Sequence, residues 1–260
     1  KILIMIEIKF LQKKPFYIFM IENFLDDTEY QILNENFPEK GIDGINPVIG
    51  NKRSFDMRDE LYKSFDKDKN LSIEILEKKF NEKFCLDLLR KLKKEVFISR
   101  LVNLTSLKNL KNLYSIVRKP KLVEQEVKKN LIQKFLYSHF QRNIEFSFMY
   151  KGSFIHPHTD QKSKLLSLML YFPSKNLENM KIGTTFYNSK IKNFKNKGMK
   201  LFDKENDSSF KENFEETITF PFKKKNLYCF IKSDLSWHSV KKLEIPEDEV
   251  RRSININLKI

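Results

Sequence analysis

The sequence is short of several residue types, and each shortage narrows what the protein can be. It has 2 Cys in 260 residues, Cys85 and Cys229. They lie far apart and match no metal-ligand spacing, so neither a disulfide framework nor a cysteine metal site is encoded. A reducing, cytoplasmic compartment is the expectation. No run of 18 apolar residues occurs, which excludes a membrane-spanning helix. The opening Lys1-Ile2-Leu3-Ile4-Met5-Ile6 is apolar but short, is followed by Glu7 and Lys9, and lacks a small-residue cleavage site. It reads as a strand rather than a signal peptide. Arginine is scarce as well, 8 residues against 41 Lys. The net charge of +15 invites a nucleic-acid reading. Phosphate and base recognition favours the guanidinium fork, however, and the lysines are scattered, often beside Glu or Asp. A solvated lysine-rich surface is the favoured reading, and nucleic acid is not an expected partner.

What is present suits one large domain with a full core, since 40% of the residues are hydrophobic. Residues 1–38 read as strand, strand, helix. Lys14-Pro15 breaks the first run, and Asp26 to Glu29 has capping-box spacing ahead of Tyr30, Leu33 and Phe37. Residues 39–70 contain Gly41, Gly44 and Gly50, half of the 6 glycines, and read as loop. Asn51 to Asp56 within them is a connecting loop or a lid. Residues 71–98 carry Leu76, Phe80, Phe84 and Leu88 at a spacing of four, with Ile73 and Leu92 beside them, so they form an amphipathic helical block. Residues 121–137 repeat the pattern with Val123, Val127, Leu131 and Phe135. From residue 140 the period switches to two. In the first such strand, Ile144, Phe146, Phe148 and Tyr150 share one side and Glu145, Ser147 and Met149 the other. Strands follow at 165–172, 183–187 and 226–231 and at the C-terminus, with a long polar loop over 188–215. The expected fold is α+β but mainly β. The expected domain is single, with N-terminal strands and helix over 1–65, helical support or cap over 66–137, and a strand core over 138–260.

The chain has only 4 His, and two of them, with an aspartate, form the sharpest pattern. His158-Thr159-Asp160 is a His-x-Asp pair. In extended backbone, residues two apart point the same way, so an imidazole and a carboxylate converge. His238, in Ser236-Trp237-His238-Ser239, is the candidate third ligand. Two His and one carboxylate with open positions mark non-heme Fe(II) oxygenases. The expected metal ligands are therefore His158, Asp160 and His238, which are also the catalytic set. His156 shares their phase, but no Glu follows at the spacing of a three-His cupin site, and it reads as a neighbour at the pocket mouth.

With Arg251-Arg252-Ser253 downstream, the ordered set His158, Asp160, His238, Arg251, Ser253 resembles the 2-oxoglutarate- and Fe(II)-dependent dioxygenases, especially the prolyl-4-hydroxylase-like branch. The likeness covers roughly residues 140–260, with an echo from Pro15-Phe16-Tyr17-Ile18 to Phe37-Pro38. It implies a double-stranded β-helix, a jelly-roll barrel, with the helices outside it. It implies Fe(II), 2-oxoglutarate and O2, with ascorbate as reductant, and conversion of 2-oxoglutarate to succinate and CO2 as a substrate C–H bond is hydroxylated. Asp160 argues against the halogenase relatives, which give up this carboxylate. Arg251 or Arg252 would bind the distal carboxylate of 2-oxoglutarate. Strand alternation puts Arg251, Ser253, Asn255 and Asn257 on one face and Arg252, Ile254, Ile256 and Leu258 on the other, which selects Arg251 with Ser253. The branch also implies a tyrosine on the strand after the aspartate, here Tyr171, that hydrogen-bonds the same carboxylate. Trp237 would shield the metal, and Thr185 is a looser candidate for the pocket wall.

The substrate is not readable from the sequence. A peptidyl proline, a free amino acid, a sugar or lipid intermediate and a nucleic-acid base all suit this chemistry, with the branch resemblance pointing to peptide or protein. The alternatives are a non-catalytic metal-binding jelly roll, against which the intact Arg251-Arg252-Ser253 speaks, and an oxygenase or demethylase acting on nucleic acid.

Overall fold

A computed structural model describes residues 7–38, 49–57, 69–101, 119–122, 137–161, 163–191 and 207–259. The described residues are mostly β, with few helices. Among them, twelve strands fall into two groups. The first comprises β1 (Lys9–Gln12), β2 (Ile18–Ile21), β3 (Arg53–Asp56), β4 (Lys119–Leu122), β5 (Tyr137–Met149), β7 (Lys164–Phe172), β10 (Leu227–Ile231) and β12 (Arg251–Lys259). They form a large sheet in the order β1-β2-β10-β7-β12-β5-β3, antiparallel along this path, with β4 pairing parallel to β5. The second comprises β6 (Ile155–His158), β8 (Thr185–Ser189), β9 (Phe214–Thr219) and β11 (Trp237–Val240), an antiparallel sheet ordered β6-β11-β8-β9. No described helix is long and apolar enough to cross a membrane.

Period-two alternation sorts the large sheet into two faces. Ile144, Phe146 and Phe148 of β5, Leu166, Leu168 and Leu170 of β7, and Ile254, Ile256 and Leu258 of β12 form one continuous core with the helices. Three helices pack there: α1 (Asp27–Glu35), α2 (Lys69–Lys79) and α3 (Glu82–Leu101). Asp26 caps α1 in a reciprocal box, with the Glu29 N–H donating to Asp26 Oδ1 at 2.8 Å and the Asp26 N–H to Glu29 Oε2 at 3.0 Å. Tyr30 then stacks on Phe172 at 5.5 Å, and Phe37 sits among Phe146, Phe148 and Phe172. Burying Phe37 alone contributes roughly 1.5–3 kcal/mol, which outweighs the modest propensity of a nine-residue helix.

The opposite face meets the small sheet. Met149, Met169, Tyr171, Tyr228 and Phe230 of the large sheet pack with Phe186 and Val240 of the small one. This inner face carries the polar residues of β5 and β12, so the inter-sheet space is part core and part polar cavity. Gly50 ties a loop to the start of β6. Its φ is +70°, a Cβ there would lie 1.7 Å from the Phe154 carbonyl oxygen, and the Phe154 N–H donates to the Gly50 carbonyl at 2.9 Å.

Four expectations change. The helical block is two helices, because the Asn81 side chain accepts from the Phe84 N–H at 2.8 Å and starts α3 afresh. Residues 53–56, expected as loop, form β3 on the edge of β5, where Phe55 is buried against Phe146 and Phe148. The polar loop gives way at its end to a fourth helix, α4 (Asp207–Asn213), and β9, because Phe210 and Phe214 bury against Trp237. β5 begins at Tyr137, ahead of the expected start, and pairs with β4 at Lys119–Leu122, a strand inside the stretch expected to be helical. The stripe Val123, Val127, Leu131 and Phe135, and the opening residues 1–6, lie outside the described residues.

Candidate functional site

The site forms where β6 and β11 pair. His158 and His238 are directly opposite in the antiparallel register, with ring centroids 4.3 Å apart. β6 ends at His158, and Asp160 sits two residues beyond it, outside the strand, with its carboxylate at the same point. His158 Nε2 lies 3.9 Å from Asp160 Oδ1, and His238 Nε2 lies 3.7 Å from Asp160 Oδ2. One donor atom from each residue falls within 4.8 Å of the others.

Hydrogen bonds set the tautomers. The Nδ1 of His158 is 2.8 Å from the His156 carbonyl, and the Nδ1 of His238 is 2.9 Å from the Ser236 carbonyl. A carbonyl accepts only, so each Nδ1 carries the proton and each Nε2 presents its lone pair to the shared point. Burial pushes the His238 imidazole down to about 3, with His158 adding to the effect. His158 is lowered for the same reason, against the pull of Asp160. Burial alone would raise the Asp160 carboxyl, but Lys164, His238 and His158 together hold it below its ordinary value. Two neutral imidazoles and one carboxylate suit a borderline divalent ion such as Fe(II).

These three residues line a cavity of about 250 Å³ between the sheets. Arg251 and Ser253 line it as well, as do Asn255 and Asn257 from the same face of β12. Arg251 is only 3% exposed. Its Nε donates to the Ile182 carbonyl at 2.7 Å, and its guanidinium carbon lies 5.2 Å from the Tyr171 ring and 5.6 Å from the Phe222 ring. Burial lowers its pKa. No carboxylate among the described residues pairs with this buried cation. Beside it Ser147, 1% exposed, has a side-chain oxygen with no hydrogen-bond partner. A buried unpaired cation next to an unsatisfied hydroxyl fits a cavity built for an anion.

Tyr171 stands beside Arg251, its ring 5.2 Å from the guanidinium carbon; its hydroxyl accepts from the Thr184 N–H at 3.1 Å and lies 3.2 Å from Thr184 Oγ1. Thr184 takes the lining position, while Thr185 turns away to bond Thr219 at 2.9 Å. Trp237 points from the opposite face of β11, into an aromatic cluster with Phe210 and Phe214, and not over His238. His156 lines a separate cleft with Pro157, Phe210 and Phe214, edge-on to Phe154 at 4.7 Å.

Several lining residues escape the motif. Lys164 donates to Asp160 Oδ1 at 2.7 Å, and Ser167 lies 3.3 Å from Asp160 Oδ2 and 3.2 Å from Asn257 Oδ1. Lys52 pairs with Glu145 at the cavity edge. Polar Glu145 and Ser147 alternating with buried aromatics on β5 are a signal for an inner polar face. Lys52 lies in a loop and carries no such signal.

No protein-family model matches this chain, and no curated protein does. Among solved structures, it is similar to a prolyl-4-hydroxylase from Pseudomonas putida, at 12% identity and a TM-score of 0.38, over 92% of this chain and 90% of that one. It is similar to a prolyl hydroxylase from Trichoplax adhaerens, in complex with a hypoxia inducible factor peptide fragment, at 10% identity and a TM-score of 0.43, over 92% and 82% of the two chains. It is also similar to HygX from Streptomyces hygroscopicus with nickel and 2-oxoglutarate bound, at 10% identity and a TM-score of 0.43, over 93% and 82%. In its ordered residues His158, Asp160, His238, Arg251 and Ser253, the chain resembles the 2-oxoglutarate- and Fe(II)-dependent dioxygenases of the prolyl-4-hydroxylase-like branch.

Proposed function

We propose that this protein is an Fe(II)- and 2-oxoglutarate-dependent dioxygenase that hydroxylates a C–H bond. The reaction balances as 2-oxoglutarate, O2 and R–H giving succinate, CO2 and R–OH. The carrying observation is one cavity that holds both the His158, Asp160, His238 cluster and a buried guanidinium without a carboxylate partner. The two sheets are then the facing sheets of a double-stranded β-helix, and the whole chain works as a single oxygenase domain. Helices α2 and α3 back the large sheet.

His158, Asp160 and His238 would hold Fe(II), which supplies the oxidation when bound. This chain's own residues do the positioning. Arg251 takes the distal carboxylate of 2-oxoglutarate in its fork, with Ser253 beside it, and releases the cost of its own burial as it does so. Tyr171 and Thr184 form the wall behind that carboxylate, and the Ile182 carbonyl fixes the guanidinium plane. Phe230, 4.7 Å from His238, and Met169 and Val240 exclude water from the metal side. The His156 and Ser236 carbonyls hold the Nδ1 protons, so both imidazoles stay neutral donors.

The test is succinate formation by the purified protein with Fe(II), 2-oxoglutarate and ascorbate under air, beside Asp160→Ala. Succinate that disappears in the variant is the expected result. No succinate, together with no anaerobic binding of 2-oxoglutarate to the Fe(II) protein, would sink the proposal and favour a metal-binding jelly roll without turnover.

A further inference from the structure

The cavity changes character along its length. Its inner end, around Arg251, Ser147, Ser253 and Thr184, is buried. Its outer end carries long charged side chains that keep some solvent contact: Lys52 at 18% exposure, Lys164 at 20% and Glu145 at 27%. Half-buried Asn255 also lines the wall, and its side-chain amide has no hydrogen-bond partner among the described residues. Polar groups of this kind are a poor match for the apolar ring of a prolyl residue, and a cavity of about 250 Å³ lies below the roughly 300–1,000 Å³ of most ligand sites.

The charges of the lining do not balance. Lys52, Lys164 and Arg251 face two carboxylates, Glu145 and Asp160, and both imidazoles are neutral. One positive charge is left over. A divalent metal and the dianion of 2-oxoglutarate cancel one another, so the surplus remains when both are bound. At this partly solvated end solvent screens the surplus only in part, and a guest with one negative charge offsets it. Lys52 is already paired with Glu145. Lys164 donates to Asp160 Oδ1 at 2.7 Å, the oxygen that faces His158 Nε2. A metal held by the same carboxylate would weaken its hold on the ammonium and leave Lys164 to a second anion.

We infer that the second substrate is a small molecule with a single net negative charge, its carboxylate held by Lys164 and its polar groups by the Asn255 amide. This rests on the oxygenase reading, which supplies the metal and the first substrate. The experiment is anaerobic calorimetry on the Fe(II) protein. 2-Oxoglutarate is titrated first, then a panel of N-acetyl amino acids and, separately, the same molecules as neutral carboxamides. The expected result is at least one acid binding about tenfold or more tightly than its amide, a preference kept in Lys164→Arg and lost in Lys164→Met. Amides that bind as well as every acid, a panel in which no acid binds, or a preference that survives Lys164→Met would each overturn the inference. The first titration reads the oxygenase proposal separately. If 2-oxoglutarate itself fails to bind, the panel is run on the metal-loaded protein alone, where the same acid-over-amide preference still decides the role of Lys164.

Discussion

Replacing Arg251 with Met separates binding from stability at the point where the site is most exposed to test. The guanidinium has favourable contacts in the free protein. Its bond to the Ile182 carbonyl contributes about 1.5–3 kcal/mol, and each of its positions over Tyr171 and Phe222 about 0.5–2 kcal/mol. Against these stands the effective penalty of several kcal/mol for burying an ion with no counter-charge. The two sides nearly offset, so Arg251→Met is expected to change unfolding stability by less than about 2 kcal/mol. Binding behaves differently if Arg251 holds 2-oxoglutarate as proposed, because the distal carboxylate then loses the buried cation at that end. Truncating one partner of such a pair costs about 2–5 kcal/mol, or roughly 30- to 4,000-fold in affinity. Arg251→Lys keeps the charge and loses the fork, and falls between. Anaerobic calorimetry of 2-oxoglutarate on the Fe(II) protein, with thermal unfolding of each variant, reads both quantities. Binding to Arg251→Met within threefold of the parent protein would refute the assignment.

Two further outcomes test the frame that carries the site. Gly50→Ala forces a side chain into a left-handed backbone and onto the Phe154 carbonyl. It should cost about 1–3 kcal/mol, a fall in Tm of roughly 2–10 °C; a Tm unchanged within 1 °C would show that the loop simply shifts. Ile254→Ala and Asn255→Ala probe adjacent positions on opposite faces of β12. Ile254 is fully buried in the helix-side core, so its truncation should cost about 2–5 kcal/mol, whereas Asn255→Ala should stay within about 0.5 kcal/mol. Equal losses in denaturant unfolding would contradict the alternation.

Much of this architecture is legible in the residue pattern. The capping box at Asp26 and Glu29 needs only local spacing, and α1 starts there. The alternation in β5 and β12 tells which residues share a face, because a strand's period of two is a property of the backbone itself. Thus Arg251, Ser253, Asn255 and Asn257 separate cleanly from Ile254, Ile256 and Leu258 before any fold is known. The same spacing argument brings His158 and Asp160 together, although β6 ends at His158 and Asp160 lies just beyond it. A pattern fails where a second element intervenes. The stripe from Leu76 to Leu88 runs through Asn81 without a break in spacing, yet Asn81 caps a new helix. Arg53–Asp56 is too short and polar to read as a strand, and it becomes one only because β5 offers it an edge.

Periodicity specifies a face; it does not specify what stands opposite. The pairing of His238 with His158 comes from the register of β11 on β6, set by residues some 80 positions apart. Lys52 on Glu145 and the orphaned Ser147 hydroxyl are also products of assembly. So is Tyr171, which shares the inner face with the site yet lies behind Thr184. The sequence by itself determined the mostly β architecture, the polar face of the last strand and the candidate ligand types, because these depend on local backbone geometry and side-chain chemistry. Only the tertiary structure decided the charge balance of the cavity and which residues reach it, because those depend on distances between strands that no local pattern encodes.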